Sequence, residues 1–192
     1  MSISSTGDST TVTGVTIGDS LTAHRVYTDQ AIIQCCNPVI HEEGAGGNTL
    51  PIINARFTDA TDYNPDFIVI QGGTNDTQAA DPNASMQAAV EAMVGKTLAA
   101  SATPVLVKVC PLGVSSYNVT RQGYIDTHNT WLVSYCSTNG YELADTDDPL
   151  RDGVTNKLAD DYDSGDGIHL STSGYVKMGK LVAAAIQSAG TW

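Results

Sequence analysis

Apolar residues along the chain gather in short runs separated by longer mixed stretches. Residues 12–17 ("VTGVTI"), 38–41, 66–70 ("DFIVI"), 104–109 ("PVLVKV") and, more weakly, 141–144 have the length and β-branched content of strands. Between them, residues 22–34, 83–100, 121–137 and 171–188 read as helices, with the Ala/Met/Val-rich 83–100 the clearest. Pro65 and Pro104 mark entries into strands, because proline cannot continue the preceding helix. Thr172 and Ser173 are candidates to cap the last helix. Strands alternating with helices imply βαβ units. The expected fold is a three-layer α/β/α sandwich around a parallel sheet of about five strands.

The chain has 192 residues, 41% of them hydrophobic, which suits one well-cored domain. A polar, Ser/Thr-rich leader over 1–11 precedes a single domain over 12–192. No internal repeat and no low-complexity linker interrupts it. The net charge is −12, from 21 acidic and 9 basic residues. That balance argues against nucleic-acid and anionic-membrane partners, which need clustered Lys and Arg. It suits solubility, or a salty or extracellular habitat. No run approaches the roughly 18 apolar residues of a membrane span, and the start lacks the basic and apolar regions of a signal peptide. The reading leaves the compartment open, with extracellular and virion-associated settings both allowed, and leaves open whether the chain is part of a larger protein. Four cysteines, Cys35, Cys36, Cys110 and Cys136, show no Cys-x-x-Cys spacing, so a zinc or redox site is not expected. They are either small buried residues or disulfide partners that the sequence cannot pair.

In a parallel α/β sheet, ligands bind outside the carboxyl ends of the strands. The residues that follow each strand therefore matter most. Gly18-Asp19-Ser20 follows the first, "EEGAGGNT" (42–49) the second and "QGGTND" (71–76) the third, and "GDGIHLS" (165–171) precedes the last helix. Ser20 at a strand-to-helix junction is either a helix cap or a nucleophile whose own N–H, unpaired at the helix start, can face an oxyanion. The Gly-x-Ser-x-Gly elbow is absent, since Leu21 and Thr22 follow. Asp166, three residues before His169, can bond one ring nitrogen and leave the other free as a general base. The glycine-rich 44–47 lacks a phosphate-loop Lys-Ser/Thr, and suits either a plain turn or a backbone N–H donor. Asn75 offers a side-chain amide to developing negative charge, or closes its strand as an Asx turn.

The order Gly-Asp-Ser, Gly-Asn-Thr, Gly-Thr-Asn-Asp and Asp-Gly-Ile-His resembles the SGNH-hydrolase superfamily, also called the GDSL esterases and lipases, over nearly the whole chain. The resemblance implies a flavodoxin-like parallel sheet and a nucleophile at Ser20. It implies a triad completed by Asp166 and His169, and an oxyanion hole of Ser20 N–H, Gly47 N–H and the Asn75 side chain. Gly46 competes with Gly47 for that role, because glycines crowd this block. "QGGTND" carries an extra glycine, Gly72, with no role in the motif. No metal or organic cofactor is implied. The expected activity is hydrolysis of a short, acetyl-type carboxylic ester on a carbohydrate, as in the family's carbohydrate acetylesterases. The partner is a small-molecule or polysaccharide ester, and the oligomeric state is undetermined. Polar segments around the motifs favour this over a lipase or acyl-CoA thioesterase with the same triad. The third reading is a non-catalytic carbohydrate-binding or virion-surface module.

Overall fold

The structure is a computed structural model, and it describes residues 11–25, 27–29 and 38–190. Five strands form one sheet: β1 (Thr13–Gly18), β2 (Val39–Gly44), β3 (Phe67–Ile70), β4 (Thr103–Val107) and β5 (Glu142–Ala144). All pairings are parallel, in the order β2-β1-β3-β4-β5. The three-layer α/β expectation therefore holds.

β3 explains the layering. Its four residues are all buried, and they alternate between two cores. Ile68 and Ile70 pack with Val15, Ile17, Met86, Met93 and Leu106. Phe67 and Val69 point the other way, toward Val105, Val107, Met178, Val182 and Ile186. A strand buried on both faces has no polar positions to spare, hence the uninterrupted "FIVI". Helices α2 (Leu50–Ala55), α3 (Thr58–Thr61), α4 (Asn83–Ala99) and α5 (Val119–Asn139) supply the first core. Helices α1 (Ser20–Ala23) and α6 (Thr172–Ala189) supply the second.

Four details depart from the sequence reading. The strand expected over 38–41 runs on to Gly44, because Glu42, Glu43 and Gly44 continue the ladder with Thr16, Ile17 and Gly18. β2 pairs only with β1 among the described residues, and such a strand carries polar residues freely. The strand expected to reach 109 stops at Val107, and the Asn129 side chain takes over both backbone groups of Val109. The last helix is capped by Ser171, whose hydroxyl accepts Gly174 N–H, rather than by Thr172 or Ser173. α2 and α3 were not expected at all. The helix expected over 22–34 falls largely outside the described residues, although 27–29 are helical. Cys35 and Cys36 also lie outside them, as do residues 1–10 of the leader expected over 1–11. Cys110 and Cys136 are buried free thiols. Among the described residues no helix is long and apolar enough to cross a membrane.

The chain leaves β1 toward β2 on one side and returns to β3 on the other. A crevice opens where that order switches, at the carboxyl ends of β1 and β3. Ser20 follows β1 and Asn75 follows β3.

Candidate active site

At the end of β1, Asp19 caps α1 by accepting Leu21 N–H at 2.9 Å. The cap position therefore belongs to Asp19, and the Ser20 hydroxyl is free for another partner. Burial pushes the Asp19 carboxyl up, while Leu21 N–H and the Gln71 side chain act in the opposite direction. Gln71, the last residue before the double glycine, accepts the Thr22 hydroxyl at 2.9 Å and braces this turn from β3.

The partner of Ser20 comes from the loop before α6. His169 Nε2 lies 2.9 Å from Ser20 Oγ, and His169 Nδ1 lies 2.6 Å from Asp166 Oδ2. With the Nδ1 proton directed at the carboxylate, Nε2 is left to accept from the serine hydroxyl. The other oxygen of Asp166 accepts the N–H groups of Ile168 and His169, both at 2.8 Å. Partial burial works to raise the Asp166 carboxyl. The His169 ring and these two N–H donors outweigh it and hold the group at about 2. It is therefore a stable anion beside the imidazole.

The loop that carries the pair is held from both sides. Asp163 Oδ1 accepts Gly165 N–H and Gly167 N–H at 2.8 and 2.9 Å. Gly113 N–H donates to Gly167 O at 2.9 Å, and the Ser116 hydroxyl donates to Asp166 O at 2.7 Å.

The Gly-rich block folds as a turn against Ser20. Ala45 N–H donates to Gly18 O at 3.0 Å, and Asn48 N–H donates to Ala45 O at 3.3 Å. The third residue of that turn is Gly47, with φ of 77°, a value at which a side chain is strained. A Cβ on Gly46 would stand 3.9 Å from that of Ser20, so this glycine lies against the serine. Asn75 Nδ2 donates one proton to Asn48 O at 3.0 Å, which leaves its second N–H for a ligand. Gly47 and Asn75 line one cavity of about 610 Å³, together with Thr49, Gln78, Asp81 and Ser85. Gly46 does not line it. The extra glycine of the third block also has a place: Gly72 has φ of 151°, and a Cβ there would come within 2.8 Å of Ile53. The strand exit passes too close to α2 for any side chain.

Two residues that build this corner escaped the sequence reading. Arg56, just past α2, donates through Nη2 to Gly18 O and Glu43 O at 2.8 and 2.9 Å, and through Nε to Asn48 Oδ1 at 2.9 Å. One guanidinium thus ties the ends of β1 and β2 to the Gly-rich turn. Its only trace in the sequence is a lone cation in the otherwise uncharged "PIINARF". Asp76 accepts Leu50 N–H, the first donor of α2, at 3.0 and 3.1 Å. Burial raises its carboxyl to about 6, although the Leu50 bond acts to lower it.

All five residues singled out in the sequence (Ser20, Gly47, Asn75, Asp166 and His169) therefore flank the crevice or the loop that faces it. A proton-accepting imidazole beside a hydroxyl, oriented by a carboxylate, can activate that hydroxyl for attack on an acyl carbon.

The fold resembles an acylhydrolase of Bacteroides fragilis at 25% identity, with 94% of this chain and 89% of that one covered and a TM-score of 0.80. It also resembles a GDSL-like lipase of Bacteroides thetaiotaomicron at 23% identity, covering 93% and 89%, with a TM-score of 0.79. A catalytic mutant of an acetylxylan esterase from Geobacillus stearothermophilus superposes at 17% identity, covering 93% of each chain, with a TM-score of 0.72. No curated protein matches the sequence. The family model for GDSL-like lipases and acylhydrolases matches residues 6–177. The chain belongs to the GDSL-like lipase/acylhydrolase family.

Proposed function

We propose that this ester hydrolase removes a short acyl group, acetyl above all, from a carbohydrate through an acyl-enzyme on Ser20. The observation that carries the mechanism is the continuous hydrogen-bond chain Ser20–His169–Asp166. His169 Nε2 takes the Ser20 proton as Oγ bonds to the carbonyl carbon. The carbonyl π electrons move onto oxygen, where Ser20 N–H, Gly47 N–H and the free Asn75 N–H receive the charge. The ester C–O bond then breaks, and His169 returns its proton to the departing alkoxide. Water repeats the sequence on the acyl-serine, giving up its proton to His169 and releasing the acid. Asp166 holds the ring and stabilises its charged form. Each oxyanion donor contributes roughly 3–4 kcal/mol to the transition state.

The substrate reading rests on the size of the lining side chains and on charge. The cavity beside Gly47 and Asn75 is bordered by polar Thr49, Gln78, Asp81 and Ser85 and by the small apolar residues Pro51, Ala79, Ala80 and Pro82, with no large aliphatic or aromatic side chain among them. Each CH₂ of a long acyl chain is worth about 0.8 kcal/mol only against apolar walls. The net charge of −12 disfavours an anionic acyl-CoA or phospholipid. Aromatic rings add little to this reading: Tyr63 and Tyr117 are 40% and 38% exposed, but His41 stacks on the Tyr63 ring and the Lys157 ammonium sits over the Tyr117 ring, and the Tyr124 hydroxyl accepts Asp81 N–H at 3.3 Å. The fold's likeness to an acetylxylan esterase is compatible with this reading.

The test is a chain-length series of p-nitrophenyl esters, run beside acetylated xylan and an acetylated bacterial polysaccharide. Highest kcat/KM at acetate, with acetate freed from a glycan, is expected. A climb from acetate to decanoate with no glycan deacetylation would favour a lipase or thioesterase with the same triad. No turnover of any ester would favour a non-catalytic binding module.

A further inference from the structure

His24 occupies a position that the acyl-transfer machinery above does not use. It stands four residues after Ser20, at the C-cap of α1, so both project from one face of the same short helix. Its ring meets the His169 ring edge-on, with centroids 5.6 Å apart and planes at 71°. Its centroid also lies 5.6 Å from that of the Tyr175 ring, with the planes tilted by 45°. Tyr175 is buried, whereas His24 is exposed. His24 is therefore an open polar side chain next to the imidazole that would protonate the leaving group.

The two sides of the crevice are chemically distinct. The cavity that includes Gly47 and Asn75 contains no member of the Ser20–His169–Asp166 chain. The leaving oxygen, in contrast, must come within hydrogen-bond reach of His169 Nε2 to collect its proton. The atoms one or two bonds beyond that oxygen then lie within a few ångströms of the His169 ring, and His24 borders that space. A neutral imidazole has one donor and one acceptor nitrogen. A hydroxyl adjacent to the ester on a sugar ring offers the complementary pair.

We propose that His24 is the specificity residue for the alcohol, hydrogen-bonding a hydroxyl adjacent to the ester on a polyhydroxylated leaving group. This rests on the acyl-enzyme reading above. It predicts an effect confined to steps in which the alcohol is present, because the acyl-enzyme is the same for every acetyl ester. A residue that merely buttressed the His169 ring would affect attack by every acceptor alike.

The experiment loads the protein with acetyl from p-nitrophenyl acetate in the presence of methyl xyloside or methanol. Acetyl transferred to each acceptor is measured against acetate formed by water, for wild type, His24→Phe and His24→Ala. His24→Phe keeps a ring against His169 and Tyr175 but has no nitrogen. The expected result in both variants is a roughly tenfold fall in the sugar-to-water ratio, the worth of one hydrogen bond. The methanol-to-water ratio should move less than twofold. An unchanged sugar ratio, or sugar and methanol ratios falling together, overturns the proposal. Wild-type protein that acetylates methanol but not the sugar also overturns it, while leaving the acyl-enzyme standing. Protein that releases no p-nitrophenol overturns the esterase reading itself, and this proposal with it.

Discussion

His169 Nε2 lies 2.9 Å from Ser20 Oγ, although 149 positions separate the two residues in the chain. A parallel sheet makes the contact possible, because it gathers the end of β1 and the loop before the last helix at one rim. The local bonds around each residue make it specific. Asp19 takes the helix cap and frees the serine, and Asp166 holds the imidazole by its far nitrogen.

Removing either end of that contact should abolish turnover without unfolding the protein. Ser20→Ala and His169→Ala are expected to lower kcat for p-nitrophenyl acetate by on the order of 10⁴–10⁶. Circular dichroism and the thermal midpoint should stay near wild type. Ser20→Ala with near-normal activity would remove the basis of the mechanism.

Asp166 carries a pH prediction. Its carboxyl is held at about 2, below the ordinary 3.8. A depressed acid stabilises the fold fully above its ordinary value and loses that contribution only as pH falls through about 2. Asp166 therefore stays ionised across the working range, and its contribution to stability is constant there. In Asp166→Asn the ring loses the carboxylate that orients it and balances the charge it gains in the transition state, so kcat should fall by on the order of 10⁴. A kcat near wild type in this variant, measured on p-nitrophenyl acetate, would show that the carboxylate does not act on the ring.

Asn75→Ala should lower kcat by roughly 10²–10³ with KM little changed, because its free N–H matters once charge has developed on the oxygen. Steady-state kinetics on the acetate ester check this. A raised KM with kcat intact would make Asn75 a ground-state contact instead.

Arg56→Ala should loosen the corner beside Ser20. It removes the donors to Gly18 O, Glu43 O and Asn48 Oδ1 together. Loss of such charge-assisted bonds costs on the order of 2–3 kcal/mol. Urea denaturation should register this as a lower midpoint at unchanged slope, and kcat should fall with it. Activity and midpoint both at wild-type values would mean the ties to the Gly-rich turn are dispensable.

Asp76 should make stability fall as pH rises. Burial raises its carboxyl from 3.8 to about 6. A raised acid holds its proton more tightly folded than unfolded. Its contribution is full below 3.8 and is lost as pH climbs through about 6. Asp76→Asn cannot ionise yet keeps an oxygen for Leu50 N–H. Thermal unfolding should therefore show the variant gaining on wild type between about pH 4 and 6.5. Asp76→Ala leaves that N–H without its acceptor and should lose about 1–3 kcal/mol across the same range. A pH-independent difference between Asn and wild type would contradict the account of this carboxyl.

Much of the architecture was legible because it rests on short-range signals. β3 is an unbroken apolar run, and α4 and α5 are long enough for their composition to count. Ser20, Asn75, Asp166 and His169 each sit in a glycine-containing junction after a strand or before a helix, where side-chain chemistry and backbone placement read together. α2 and α3 were not legible. They have six and four residues, too few for a helical period to emerge. The cap at Ser171 differs from Thr172 or Ser173 by one or two positions, and only the bond to Gly174 decides it. Arg56 was hidden for a different reason. Its partners are two backbone carbonyls and one amide oxygen, which leave no mark on sequence composition.

The central claim is that Ser20 is the nucleophile and that His169 activates it. Covalent labelling with a fluorophosphonate, followed by peptide mass spectrometry, tests this most directly, because such a reagent captures an activated serine and mimics the tetrahedral intermediate. The account predicts one adduct per chain, on the peptide that contains Ser20. The adduct should be absent in Ser20→Ala and formed far more slowly in His169→Ala. An adduct on another residue, or labelling that persists undiminished in Ser20→Ala, would contradict it.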